Sequence, residues 1–218
     1  MKKGTIPEIA AVMALCFGPL VALSLIAVFS RKTTTLTDGR LFGIVAYELA
    51  AMAGAAAILR ARGWTLRDLA PERPGPVDVA IGLGAALAAV AATIFLAILA
   101  RRATGAWHAG PELTVAKGSL HLAPILLASL VNPLFEEFLV CAFPIAAWRK
   151  GGGTGWAPIH ISVAVRVAYH LYQGTSGVIG ILPLGLAFAL WYDRTQRVWP
   201  LAIAHCALDF FPLWLRTM

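Results

Sequence analysis

Seven ionisable side chains lie inside apolar runs of this chain: Glu48, Glu136, Glu137, Arg166, His170, His205 and Asp209. Charged groups at membrane depth are costly and are functional candidates by default. All but Glu48 fall after residue 135. His205 and Asp209 are four residues apart and share one helix face, as do Arg166 and His170. Adjacent Glu136 and Glu137 point about 100° apart on an α-helix. One of them should face a reacting centre and the other should hold a partner.

These residue types suit peptide hydrolysis. That reaction needs a base for water, a stabiliser for the oxyanion and an acid for the leaving amine. A carboxylate beside an imidazole can activate water, and a second imidazole can donate to the oxyanion. No serine or cysteine nucleophile is required. The set demands no cofactor; zinc is the ion it could hold, through Glu136, His170 and His205, since two histidines and a carboxylate are common catalytic ligands. The usual HExxH spacing is missing.

The elements that must position these groups are membrane helices. Of 218 residues, 59% are hydrophobic and 13% charged, about half the charge of a soluble domain, and the mean hydropathy is +0.76. Apolar runs occur at about 6–29, 41–59, 77–100, 119–147, 157–174, 177–192 and 198–215. A span takes roughly 20 residues, so little chain is left for a soluble domain. The expected fold is all-α: a polytopic membrane bundle of about 7–8 helices, one domain over 1–218, with a motif-bearing core at about 119–215 and an active site within the bilayer. The first run is too long for a signal-peptide core and is read as a span. Polar loops are expected at 60–76 and from Arg101 to Lys117. The net charge of +7 is scattered between apolar runs, which excludes nucleic acid as a partner and fits cytoplasmic loops and anionic lipid. Cys16, Cys141 and Cys206 read as buried small hydrophobes. His121 and His160 lie near span ends, and Trp148, Trp156, Trp191 and Trp199 read as interface anchors.

Within 119–147, Pro133 is expected to open a new helix at its first position with Asn132 as cap, placing the Glu pair at a positive helix end. If the seven runs alternate, ten Lys and Arg residues fall on the side of the N-terminus and seven on the other, which puts the N-terminus in the cytoplasm. Counted from loops on that side, Glu136, His170 and His205 lie at depths of roughly 18, 20 and 12 Å. Three helices thus bring ionisable groups to a similar height. The plain alternative is polar glue between helices, but two carboxylates and two histidines at one level favour an active or ion-binding site.

Three stretches carry a resemblance. Asn132 to Cys141 (NPLFEEFLVC) resembles the first motif of the CAAX-protease and bacteriocin-processing (CPBP) family, a Glu pair followed four residues later by Arg. Arg166 to Gly174 (RVAYHLYQG) is similar to the second, an aromatic and then His four residues on. Arg194 to Asp209 (RTQRVWPLAIAHCALD) is similar to the third, His and then Asn or Asp four residues on. GWTLRDL at 63–69 also resembles a stretch common in the family. Each motif alone is weak; three in order on apolar helices are specific.

The resemblance implies an intramembrane endopeptidase of a prokaryotic plasma membrane, glutamate-dependent or metal-dependent, acting on a peptide or lipidated protein in the bilayer. Carried over by position, Glu136 activates water with His170 beside it, His205 and Asp209 stabilise the oxyanion, and Glu137 supports the site. The chain departs from the pattern twice: Cys141 stands where Arg is expected, and Arg166 where an aromatic is expected. Cys141 is read either as degeneration, leaving an immunity or scaffold protein, or as relocation of the charge to Arg166. An uncompensated arginine in ISVAVRVAY would be costly, which favours relocation and predicts an Arg166 contact with Glu137 or Glu136 within about 4 Å, Glu48 being the competing partner. An ion or proton carrier is a third reading, since the acid and histidine pairs would serve it too.

Overall fold

The computed structural model describes residues 4–31, 34–104, 113–115, 118 and 120–217. Its helices are α1 (Ile6–Ser30), α2 (Asp38–Ala61), α3 (Pro76–Thr104), α4 (Leu122–Glu136), α5 (Phe143–Lys150), α6 (Ala157–His170), α7 (Gly174–Thr195) and α8 (Trp199–Leu215). A six-residue π-helical stretch, Glu137–Ala142, joins α4 to α5. Two three-residue strands, β1 (Thr34–Leu36) and β2 (Leu113–Val115), pair in parallel. Five helical segments are long and apolar enough to cross a membrane; Trp199–Leu215 is apolar but shorter. The expected helical membrane bundle is the observed class.

The rod formed by α4, the π stretch and α5 runs through the centre. It buries 61% of its apolar window, against 6% for α3. Val140, Ala142, Phe143 and Ile145 are wholly enclosed, surrounded by α1, α6, α7 and α8. Apolar side chains on α1 and α3 such as Phe29 and Leu87 are instead outward-facing, as lipid contact requires.

The runs at 157–174 and 177–192 become α6 and α7, separated by a 3-10 turn, Leu171–Gln173, and by Gly174 at φ +72°, a conformation glycine adopts without steric cost. The chain reverses there, because Arg166 on α6 lies against Gly185 on α7. With 14 residues, α6 covers only about 21 Å. His170, at its C-terminal end, therefore lies inside the bundle.

Four segments meet on one face of the bundle: the N-terminus and the loops at 62–75, 151–156 and 196–198. Glu8 accepts from the backbone of Gly4 and Thr5 and from Arg62 Nε at 3.0 Å and Trp64 Nε1 at 3.3 Å. Lys150 pairs with Asp68. Arg149 grips Asp193 through two bonds of 2.8 and 2.9 Å, and Arg197 holds Asp78 at 2.9 Å. The opposite face carries β1, β2 and the Asp38–His121 pair. The alternation read from the sequence thus agrees with which loops meet. Lys2, Lys3, Lys32 and Lys117, which entered that charge count, lie outside the described residues.

Two local expectations are corrected. Pro133 does not open a helix: α4 runs through it to Glu136. Asn132 does not cap; its amide donates to Asp209 Oδ2 at 2.9 Å. Proline removes one backbone donor from the ladder, and a rod packed on all sides tolerates that loss, with the register shift taken up in the π stretch just beyond. The loop expected from Arg101 begins later, since α3 continues to Thr104; most of the remainder, up to Lys117, lies outside the described residues.

Candidate active site

The site gathers where α4 passes into the π stretch. π turns insert one residue into a helix and recur at functional sites. Here the turn begins at Glu137, so consecutive side chains diverge less than on an α-helix. Glu136 and Glu137, expected to face different ways, both reach Arg166. The guanidinium donates from one Nη to both oxygens of Glu137 at 2.8 and 2.9 Å. Its other Nη is 3.4 Å from Glu136 Oε2. The contact predicted for Arg166 is therefore present, and Glu48 is not its partner.

The two carboxylates are in different states of engagement. Glu137, with no exposed surface, is saturated: Arg166 covers both oxygens and His205 Nδ1 donates to Oε1 at 2.7 Å. Glu136 Oε2 is buried without a hydrogen-bond partner. His205 Nε2 faces Asp209 Oδ1 at a looser 3.5 Å. His170 Nδ1 meets the Arg166 carbonyl at 2.9 Å. A carbonyl only accepts, so this nitrogen carries the proton and Nε2 presents its lone pair. His170 lies within electrostatic reach of Glu136, Arg166 and His205. The arrangement thus brings together Glu136, Glu137, Arg166 and His205 directly, with Asp209 behind His205 and His170 flanking Glu136.

Arg166 is 1% exposed, and α7 makes room for it. A Cβ at Gly185 would stand 3.1 Å from Arg166 Cδ, and the Phe188 ring lies 5.9 Å from the guanidinium carbon, within cation–π range. Neither residue was singled out in the sequence; a glycine amid LPLGLAF was the one available sign of a close approach. Valine at Gly185 would overpack this slot, at about 1–3 kcal/mol. Gly185→Val is therefore expected to lower the melting temperature in detergent and to weaken activity in parallel, while Gly84→Val, where open space surrounds the position, leaves both near wild type.

A metal fits these residues poorly. Ligand atoms of Glu136, Glu137 and His205 do lie within 4.8 Å of one another. A divalent ion among them would sit against the permanent positive charge of Arg166 and would have to displace that guanidinium and His205 from Glu137. The trio expected from the sequence is Glu136, His170 and His205; the group that lies together among the described residues has Glu137 in place of His170.

An acid–histidine–arginine centre buried in a helical membrane bundle defines a class of intramembrane site. Residues 118–211 match the family described as type II CAAX prenyl endopeptidase Rce1-like, which bears out the CPBP resemblance and covers all three motifs. No curated protein and no solved structure matches the chain. In general terms, then, this is a helical membrane protein whose residues 118–211 are similar to the core of CAAX-type proteases.

Proposed function

We propose that the chain is an intramembrane endopeptidase that hydrolyses a membrane-associated peptide with water activated by Glu136. One observation carries this reading: of two adjacent buried carboxylates, Glu137 is saturated, whereas Glu136 Oε2 makes no hydrogen bond and only a long 3.4 Å contact with Arg166. A base must have an unoccupied lone pair within reach of its proton, and only Glu136 offers one. Glu136 takes the proton of a water held between it and His170 Nε2. The hydroxide attacks the scissile carbonyl. His205 then turns its loosely held Nε2 from Asp209 to the developing oxyanion, while its Nδ1 bond to Glu137 keeps the ring oriented. Arg166 and Glu137 position His205 and hold the charge of the acid pair.

Arg166 weighs against the degenerate reading, since a positive charge missing at Cys141 is supplied beside Glu137 from α6. The carrier reading is disfavoured because Glu137 is locked by an arginine. The substrate is a peptide or lipidated protein tail delivered in the bilayer. The loop-bearing face is read as cytoplasmic, in a prokaryotic plasma membrane.

Purified protein in liposomes, offered a peptide library that includes prenylated C-terminal tails, tests the proposal. Cleavage is expected, and it should persist after dialysis against a zinc chelator because the centre is charge-balanced by Arg166. Activity lost to the chelator and restored by zinc would overturn the metal-free mechanism. The absence of any cleavage would overturn the protease reading.

A further inference from the structure

Glu48 lies near the middle of α2, a helix that carries none of the three motifs. It is 2% exposed, and its Oε2 is buried with no hydrogen-bond partner. Its carboxyl is within electrostatic reach of Glu136 on α4 and of His205 and Asp209 on α8. On α1, which packs against α2, the thiol of Cys16 donates to the Ala51 carbonyl. Its helix neighbour Tyr47 donates its hydroxyl to the Cys16 carbonyl at 2.7 Å, so neither serves Glu48. The other cations are already engaged: Arg166 by the Glu pair and His205 by Glu137 and Asp209.

A buried carboxylate with no cation of its own and two acids nearby is costly. A buried carboxylic acid is not, and its O–H is a donor. The mechanism above supplies a base and an oxyanion stabiliser from the motif helices; the acid it offers the leaving nitrogen is Glu136 once protonated, and it assigns no separate donor to that step.

We propose that Glu48 is that acid: it enters the reaction protonated and delivers its proton to the nitrogen of the departing amine. The assignment rests on the endopeptidase reading. In the first step Glu136 takes a proton from water, the new C–O bond forms, and the carbonyl π pair moves onto oxygen. In the second the carbonyl re-forms, the C–N bond breaks, and its electron pair leaves with nitrogen, which receives the Glu48 proton. The products are a carboxylic acid and an amine, with Glu136 protonated and Glu48 ionised. Transfer of the proton from Glu136 to Glu48 resets the site.

The experiment compares wild type, Glu48→Gln, Glu48→Asp and Glu136→Gln in liposomes, with kcat and KM measured across pH. Glutamine keeps shape and a donor but cannot release a proton. Glu48→Gln is expected to lower kcat roughly 100-fold with KM little changed, and to flatten the alkaline fall of kcat expected of the wild type. Glu48→Asp should keep part of the rate and that alkaline limb, which separates proton delivery from packing. Infrared spectra should show the carbonyl stretch of a protonated carboxylic acid that disappears in Glu48→Gln. An active Glu48→Gln with an unchanged pH profile, beside an inactive Glu136→Gln, overturns this role and leaves the endopeptidase reading intact. Failure of the wild type to cleave overturns both.

Discussion

Glu136→Gln is expected to reduce cleavage to background while the protein remains folded. Glutamine keeps the size and one oxygen of glutamate but cannot accept the water proton. Loss of a positioned base costs roughly 10²–10⁴-fold. The fold should survive because the free oxygen of Glu136 contributes no hydrogen bond to packing, and its contact with Arg166 is long at 3.4 Å. Glu137→Gln should behave differently. It removes a charge from a group that holds both Arg166 and His205, leaving a buried guanidinium under-compensated, so it should lower the melting temperature as well as the rate. The comparison of cleavage rate with thermal unfolding decides the assignment: full activity in Glu136→Gln would show that the base is elsewhere.

The second large effect is at Arg166. Arg166→Ala strips Glu137 of its cation at a position with no solvent access. Breaking a buried pair by removing one partner costs about 3–5 kcal/mol, so the variant should be inactive and lower in melting temperature or poorly expressed. Cys141 lies close enough to both Glu137 and Arg166 to feel their charges, which makes it the natural second location for the cation. The double change Cys141→Arg with Arg166→Phe should restore part of both stability and cleavage. Cys141→Arg alone should be damaging, because it buries a second guanidinium beside one already in place. With Arg166→Phe as the single change at that position, wild type, the two single variants and the double form a double-mutant cycle, read by unfolding temperature and peptide cleavage. A strictly additive cycle would show that the two positions do not share one charge. An Arg166→Ala protein that behaves like wild type would end the relocation idea and restore the degenerate reading.

Much of this arrangement was legible in the sequence because lipid makes buried charge expensive. Glu136, Glu137, Arg166, His170, His205 and Asp209 stand out against apolar neighbours, and the alternation of spans brings three of them to one height. What could not be read depends on the path of the backbone. The π stretch after Glu136 has no residue signature, yet it is what lets two adjacent carboxylates meet one guanidinium. Asn132 before Pro133 has the form of a helix cap, and only packing against α8 turns its amide toward Asp209. Glu48 was visible as an intramembrane acid, but its neighbours come from helices more than 80 residues away along the chain. Gly185 acquires meaning only once α6 and α7 fold back on each other.

The slot beneath Gly185 also bears on the order in which such a site can change during descent. A chain with no cation at either position 141 or 166 would leave Glu137 buried and unpaired, at the cost already given for Arg166→Ala. A chain with arginine at both positions has two carboxylates, Glu136 and Glu137, to share between them. The second intermediate is the more survivable. The slot and its arginine must therefore have been in place before the helical rod could do without one, and a glycine outside all three motifs was a precondition for the cysteine at 141. Ancestral reconstructions ought to acquire small residues at position 185 no later than arginine at 166, and both before the loss of arginine at 141.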